Sequence, residues 1–279
     1  MLYLDPKNDL TFKKVFGQHP HLLKSLLNAL LPLPQDSFIE SLEYLPSELV
    51  PDIPLQKHTI VDVRCKDNRG RHFIVEMQMH WTTGFMQRVL FNASKAYVKQ
   101  LDKAEVYKVL QPVYALSLVN EIYETKKPQY YHHYQIVNIQ DTQKQIEGLE
   151  FVFVELPKFK AQNITEKKLQ VLWLRFLTEI DEKMTEIPEE FLSSPEIKEA
   201  MDNLLVSGFT KAELEGYDKY WDSVRTEKTL QSGFFDKGKA EGEKESLTKV
   251  AINALKQGLS VDLIMQLTGL TEEEISDLN

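Results

Sequence analysis

The stretch IVDVRCKDNRGRHFIVEMQMHW, residues 60–81, limits the possible folds more than any other part of the chain. β-branched and other apolar residues flank the tripeptide NRG at positions 68–70. This pattern is typical of two antiparallel strands joined by a three-residue loop, with Gly70 in the left-handed position that such loops favour. Counting outward from the loop places Asp62 directly opposite Glu76. Opposed residues of an antiparallel pair share a face, so the two carboxylates are predicted to lie close together.

The two faces of this hairpin differ in chemistry. Gln78, two positions beyond Glu76, shares the face that carries Asp62. Two like charges held opposite each other cost free energy unless a shared proton, a basic partner or a metal ion offsets them. A solvated face with Arg64 and His72 as counter-charges and a divalent-metal site both remain open from the spacing alone. The apolar face is predicted to carry Val61, Val63, Cys65, Phe73, Val75, Met77 and Met79.

Composition places the chain among ordinary globular proteins. Of its 279 residues, 42% are hydrophobic and 27% charged, enough to bury the core of one large domain with appendages. It has no apolar run of about 18 residues, and its start, MLYLDPKNDL, lacks the basic-then-apolar order of a secretory signal. We therefore expect neither membrane insertion nor export. The single cysteine, Cys65, fits a reducing cytoplasm and is interpreted as a small buried apolar residue.

Charge is distributed unevenly along the chain. The formal net charge is −9, which argues against a nucleic-acid partner for the chain as a whole. Residues 1–130 contain 16 Lys+Arg and 14 Asp+Glu, whereas residues 131–279 contain 17 and 28. The first half is therefore compatible with a polyanion, especially if a divalent cation neutralises some of its carboxylates.

Helical signals open the chain and dominate its second half. Residues 9–17 and 21–31 carry apolar residues at helical spacing, with Asn8 or Asp9 as the first N-cap. Thr83 is predicted to cap a long helix through Leu101, and almost everything after position 165 is predicted to be helical. β-branched and aromatic residues predict strands at 38–45, 58–66, 71–81, 113–119, 130–139 and 149–156. This order indicates an α/β fold, a mixed sheet flanked by helices with a helical C-terminal extension.

The C-terminal tail, residues 236–279, is predicted to be a charged linker followed by small helices. Ser260 and Thr271 are the predicted N-caps of the last two helices, and Thr271-x-x-Glu274 matches a capping box. Three short helices with a glycine between the last two fit a helix-turn-helix. Residues 272–274, however, are all glutamate and would face DNA phosphates with like charge. DNA reading and a packing or oligomerising role both remain open for this tail.

Asp62 and the run Glu76-Met77-Gln78, on consecutive strands between two helices, resemble the PD-(D/E)XK nuclease superfamily. The segments NDLTFKKVFG, VDVRCKDNRGRHFIVEMQ and MQRVLFNASKAYVKQL resemble in particular the recombination-promoting nucleases, also described as PD-(D/E)XK transposases. The tail is similar to the C-terminus of that family. The resemblance implies a restriction-endonuclease-like core at 1–160, a helical extension at 161–235, and the linker with its helical tail at 236–279.

The same resemblance implies roles for individual residues. Asp62 and Glu76 would bind Mg²⁺, or Mn²⁺ in its place, together with the main-chain carbonyl of Met77. Asp9 would reach the metal directly or through water, and a role as a helix cap is equally open. Arg88 matches a family position that could contact substrate phosphate, whereas a structural role is favoured for Tyr97. Lys13, Lys14, Lys57 and Arg71 could line a DNA groove, although scattered basic residues also suit a solvated face.

Gln78 stands where much of the superfamily has lysine. Glutamine can orient an attacking water but neither gains nor loses a proton at working pH, which leaves more of the chemistry to the metal. The implied activity is Mg²⁺-dependent endonucleolytic hydrolysis of DNA, associated with recombination or mobile elements. We expect DNA and further copies of this chain as partners. The alternatives are a non-catalytic DNA-binding protein or an oligomerising accessory protein that keeps the fold.

Overall fold

Residues 3–49, 59–101, 106–160, 168–184 and 186–278 are described in a computed structural model of the chain. Lys57, one of the predicted groove residues, lies outside these ranges. The strands are β1 (Leu42–Tyr44), β2 (Glu48–Leu49), β3 (Thr59–Ile60), β4 (Val63–Asp67), β5 (His72–Gln78), β6 (Val113–Val119), β7 (Tyr131–Asn138) and β8 (Asp141–Glu155). The helices are α1 (Asp9–Gln18), α2 (Pro20–Leu30), α3 (Phe85–Val98), α4 (Lys168–Glu179), α5 (Glu189–Leu192), α6 (Pro195–Asp202), α7 (Lys211–Lys256), α8 (Val261–Thr268) and α9 (Glu272–Ser276).

A mixed sheet with the strand order β1-β4-β5-β6-β8-β7 forms the centre of the fold. β4 and β5 are antiparallel, β5, β6 and β8 run parallel to one another, and β7 returns antiparallel to β8. The parallel strands end at Gln78, Val119 and Glu155, so their carboxyl ends meet at one edge of the sheet. This architecture confirms the predicted α/β class, with helices around a mixed sheet and a long C-terminal helix.

Helices pack on both faces of the sheet. Val89 of α3 belongs to the apolar cluster that contains Ile74 of β5. α1 approaches the other face, where a Cβ placed on Gly17 would lie 3.9 Å from the side chain of Val63. Because Val63 pairs with Val75, and Val75 follows Ile74 in the strand, the two contacts lie on opposite sides of the sheet. The β4–β5 hairpin is therefore enclosed between α1 and α3.

The hairpin turn has the predicted geometry. Gly70 takes a φ of 80°. The amide of Asp67 donates a hydrogen bond of 3.0 Å to the carbonyl of Arg71, as expected for a loop of residues 68–70. Cys65 is fully buried, as interpreted from its apolar neighbours, and burial raises the pKa of its thiol to about 12. The thiol is therefore protonated at neutral pH.

Three local predictions about strands and helices are wrong. Val61 packs in the cluster of Ile74 rather than with Val63, because the chain leaves strand geometry between the end of β3 and the start of β4. Thr83 does not cap α3, whose N-cap is Gly84 and whose last residue is Val98. β8 begins eight residues before the predicted strand, since a polar and mostly exposed hairpin pairs it with β7. That hairpin lacks the alternating apolar pattern from which strands are predicted.

The predicted charged linker at the start of the tail is helical. α7 runs without interruption from Lys211 to Lys256. Lysine–glutamate pairs four residues apart stabilise such an exposed helix, and three of them lie in this segment. They are Lys237–Glu241, Lys239–Glu243 and Lys249–Glu245. Sequence composition alone indicated a linker because charged and glycine residues dominate the segment.

The chain divides into two compact units, one ending at Trp221 and one beginning at Asp222. In the second unit, the end of α7 packs with α8 and α9 around Ala251, Ile264 and Ile275. Gly269, with a φ of 69°, ends α8 in the left-handed conformation. Thr271 forms the predicted capping box with Glu274. No helix in the described part of the chain is both long and apolar enough to cross a membrane.

Candidate active site

The register of the β4–β5 hairpin brings Asp62 to Glu76. Val63 pairs with Val75, so the residue before Val63 meets the residue after Val75. Asp62 lies just outside β4, and its Oδ2 accepts a 2.7 Å hydrogen bond from the amide of Met77. This bond anchors the Asp62 carboxylate beside the main chain that follows Glu76. Asp62 therefore lies near Glu76, as the turn predicts, although it is not one of the paired residues of β4.

Glu76 is buried with only part of its hydrogen-bonding capacity used. Its side chain points into the space between β5 and α3, where Asn92 donates a 3.1 Å hydrogen bond to its Oε1. Oε2 is buried and has no hydrogen-bond partner among the described residues, but it forms an ion pair of 3.6 Å with Nη2 of Arg88. Ser117 pairs with Glu76 across β5 and β6, and its buried hydroxyl also has no partner there. Unsatisfied buried polar atoms next to a carboxylate are typical of a site that takes a ligand or water.

Asn92 and Ser117 were not identified from the sequence as residues of the site. Asn92 lies on the apolar face of α3, with Val89, Ala93 and Ala96 as buried neighbours along the helix. A polar residue at such a position needs a partner, and this is the signal that could have found it. Ser117 offers no comparable signal, because a single serine in an apolar strand has too many ordinary roles.

Burial raises the cost of ionising both carboxylates. Burial raises the pKa of Asp62 to about 6, and the charges of Glu76 and Asp9 act in the same direction. The amide of Met77 and the ammonium group of Lys13 oppose this rise. Burial likewise raises the pKa of Glu76, against the opposing effects of Arg88 and Asn92. At neutral pH the site therefore concentrates negative charge that a cation would relieve.

α1 places Asp9 and Lys13 beside Asp62. Their side chains form an ion pair of 2.7 Å, one helical turn apart. Asn8, not Asp9, is the N-cap of α1, since the Asn8 side chain accepts a hydrogen bond from the amide of Leu10. Lys13 and Asp62 both line a cavity of about 360 Å³ between α1 and the start of β4. Asp9 and Lys13 are therefore neighbours of the paired carboxylates.

Gln78 and Arg88 form a second group at the end of β5. Nη2 of Arg88 donates a 2.6 Å hydrogen bond to Oε1 of Gln78. The Nε2 group of Gln78 donates to the carbonyl of His80. Arg88 also lies over the ring of Phe85, 4.9 Å from its centroid, and 44% of its side chain is exposed. Arg88 thus links the motif glutamine to Glu76 and still reaches solvent.

Three further residues named in the sequence have structural contacts away from this site. Lys14 donates a 2.8 Å hydrogen bond to the carbonyl of Gly208. Arg71 is buried in an ion pair of 2.7 Å with Asp67, so it does not line a groove. Tyr97 packs against Gly148, where a Cβ would lie 3.2 Å from the tyrosine ring. A structural role, as favoured for Tyr97, therefore applies to all three.

The oxygen donors of this site fit a hard divalent cation. Within the described ranges, no three His, Cys, Asp or Glu side chains converge as a metal cage made of side chains alone would require. Mg²⁺ does not need such a cage, because it is commonly bound through one or two carboxylates and keeps several waters. Two ionisable carboxylates match that preference, and one oxygen of Glu76 makes no hydrogen bond to the described residues.

A mixed sheet whose central hairpin carries two facing carboxylates, enclosed by helices, defines the class of PD-(D/E)XK nuclease-like proteins. The family model described as PD-(D/E)XK nuclease family transposase matches residues 6–230, and the chain belongs to this family. A second model, the C-terminal HTH domain of the Rpn/YhgA-like nuclease family, matches residues 244–279. Both matches confirm the resemblance seen in the sequence. Comparisons with curated proteins and with solved structures found no match.

Proposed function

We propose that the protein is a divalent-metal-dependent DNA endonuclease that hydrolyses phosphodiester bonds in recombination or in mobile elements. The family supports a nuclease-like and recombination-associated role. The observation that carries the finer proposal is the buried pair of Asp62 and Glu76, with one oxygen of Glu76 lacking a hydrogen-bond partner among the described residues. Arg88 and Lys13 offset part of the cost of burying these two carboxylates, and a bound cation would offset more of it.

Asp62 and Glu76 would hold the ion, with the main-chain carbonyl of Met77 as the third protein ligand. The bound Mg²⁺ or Mn²⁺ would lower the pKa of a water molecule and neutralise charge on the phosphate. The hydrogen bond from the Met77 amide keeps the Asp62 carboxylate oriented. Asn92 does the same for Glu76 from α3. Asp9 would add negative charge at the edge of the ion's site.

Lys13 and Arg88 would contact the substrate from two sides of the carboxylates. Lys13 lines the cavity that also exposes Asp62. Arg88 reaches solvent beside Glu76. Both are cations, so they would attract a phosphate that the carboxylates alone would repel.

Plasmid nicking by the full-length protein tests the proposal. Wild type, Asp62→Ala and Glu76→Ala would be incubated with supercoiled plasmid in Mg²⁺, in Mn²⁺ and in EDTA, with Asp36→Ala as a control that removes an exposed carboxylate away from the site. We expect nicking by wild type and Asp36→Ala in either metal, and a loss of at least about 100-fold in both site variants. Equal nicking by all four proteins would point to a contaminant and refute the proposal.

The alternatives have different signatures in the same preparation. A DNA-binding protein without activity would bind labelled DNA equally well in EDTA and in Mg²⁺, and no metal would produce nicking. We also propose that the protein forms homo-oligomers, and sedimentation equilibrium of the full-length chain tests this directly. The match of residues 244–279 to a C-terminal HTH domain supports DNA contact by this unit. The acidic start of α9, Glu272 to Glu274, would repel phosphates, so we propose that any DNA contact is made by other parts of the unit.

A further inference from the structure

The amide of Gln78 is engaged at both ends. Its oxygen accepts from Arg88, and its nitrogen donates to the carbonyl of His80. Reversing the amide would set donor against donor at Arg88 and acceptor against acceptor at His80, so the partners determine its orientation. A glutamine held in this way has little freedom to orient an attacking water by itself.

Arg88 can donate hydrogen bonds to a ligand, whereas both ends of the Gln78 amide are already engaged. A guanidinium group carries five N–H donors in a planar fork, and the hydrogen bond to Gln78 uses one of them. The stacking contact with Phe85 and the hydrogen bond to Gln78 restrain the side chain from two directions. With 44% of the side chain exposed, other donors remain accessible to a ligand at the site. Arginine stays protonated and suits the bidentate recognition of phosphate.

We propose that Gln78 acts through Arg88, holding the guanidinium beside Glu76 so that Arg88 contacts the scissile phosphate and supplies the positive charge that lysine supplies elsewhere. In this view Gln78 is a positioning residue and Arg88 is the catalytic one. The inference rests on the proposed endonuclease function. It replaces the simpler expectation that the glutamine orients the water directly.

The pair is a physical substitute for lysine. A lysine at position 78 would bring an ammonium group to the site on its own stem. A glutamine there has no charge, but its carbonyl oxygen can fix a cation that comes from another element, and α3 provides one. The restrained arginine loses less conformational freedom when it meets the phosphate than a mobile side chain would. Arg88 therefore supplies the charge, and Gln78, ten positions earlier, fixes its place.

A double-mutant cycle on single-turnover cleavage tests this mechanism. The variants are Gln78→Leu, Arg88→Gln and the double variant, with Gln87→Leu as a matched control that removes an exposed glutamine from α3. We expect the rate constant to fall by about 100-fold in Arg88→Gln, the usual effect of removing one donor to the developing charge. Gln78→Leu should lose about 10-fold, and the double variant should be no slower than Arg88→Gln. Effects that multiply in the double variant would show that Gln78 acts independently and would overturn the inference.

Lysine rescue provides a second readout that a merely structural role would not affect. If Arg88 supplies the charge, adding Gln78→Lys to Arg88→Gln should restore cleavage by about 10-fold over Arg88→Gln alone. Mn²⁺ affinity, measured by calorimetry without DNA, should be no more than about threefold weaker than wild type in Arg88→Gln, and the loss of the cation beside Glu76 can strengthen it. A failed rescue with intact Mn²⁺ binding would refute the proposal. Wild-type protein that cleaves nothing in any metal would instead refute the endonuclease function and this inference with it.

Discussion

Replacing Asp62 by asparagine removes the buried charge but keeps an oxygen that can accept the hydrogen bond from the amide of Met77. Burial raises the pKa of Asp62 from 3.8 in the unfolded chain to about 6 in the folded protein. The folded state therefore holds the proton more tightly, and stability is lost as pH rises through this window. At about 1.36 kcal/mol per pKa unit, the difference corresponds to about 3 kcal/mol at pH 8.

The Asp62→Asn variant should therefore be more stable than wild type at pH 8 by up to about 3 kcal/mol in EDTA. The advantage should shrink below pH 6 and vanish below about pH 3, where the aspartate is protonated in both states. Urea unfolding across this pH range gives the difference directly. Contributions from titrating groups that do not interact with Asp62 cancel, because both proteins carry them.

Divalent metal should reverse the order of stability. A ligand present at 1,000 times its Kd stabilises the folded state by about 4.1 kcal/mol, which exceeds the advantage of Asp62→Asn in EDTA. Mn²⁺ should therefore raise the unfolding free energy of wild type and have a much smaller effect on Asp62→Asn. Asp36→Asn changes an exposed carboxylate and keeps Asp62. It should therefore have the stability of wild type at pH 8 and the same response to Mn²⁺. If Asp62→Asn is less stable than wild type at pH 8 in EDTA, the reasoning about this carboxylate is refuted. A stability difference that does not change with pH would refute it as well.

Three stability predictions follow from other parts of the fold. Arg71→Met leaves Asp67 as an unpaired buried charge and should cost about 3–5 kcal/mol in urea unfolding, so a loss below about 1 kcal/mol would contradict the burial of this pair. Gly70→Ala places a side chain on a residue with a φ of 80° and should lower the unfolding free energy by about 1–2 kcal/mol. An unchanged unfolding free energy would contradict this prediction and would mean that the turn relaxes. Thr271→Ala removes the capping box of α9 and should speed hydrogen exchange of the Glu274 amide several-fold, consistent with about 1 kcal/mol; unchanged exchange would mean that the cap does not hold the helix.

Sequence reasoning succeeded where the determining interactions are local. Gly70 sets the turn because only glycine adopts its backbone conformation without strain, and the turn sets the register of two strands. That register was sufficient to place Asp62 against Glu76. The capping box at Thr271 was predictable for the same reason, since its partners are three residues apart. Each of these features involves neighbours along the chain or across a tight turn.

Sequence reasoning failed where neighbours come from distant segments. The burial of Arg71 depends on how the turn packs against the rest of the fold, and its charge alone suggested an exposed residue. The turn of Val61 toward the α3 face follows from the break between β3 and β4, which an alternating pattern does not reveal. The helix α7 was missed in this segment because a charged, glycine-containing composition is shared by linkers and exposed helices.

The primary sequence alone determined the family, the hairpin and the two carboxylates, because these depend on short-range spacing. Only the tertiary structure decided which side chains surround them. Asn92 donates a hydrogen bond to Glu76 from a helix sixteen residues later, and Ser117 pairs with Glu76 in the next parallel strand. Such contacts arise when apolar faces pack and bring remote polar groups together. Hydrophobic burial is not directional, so the spacing of residues along the chain cannot specify which polar groups will meet.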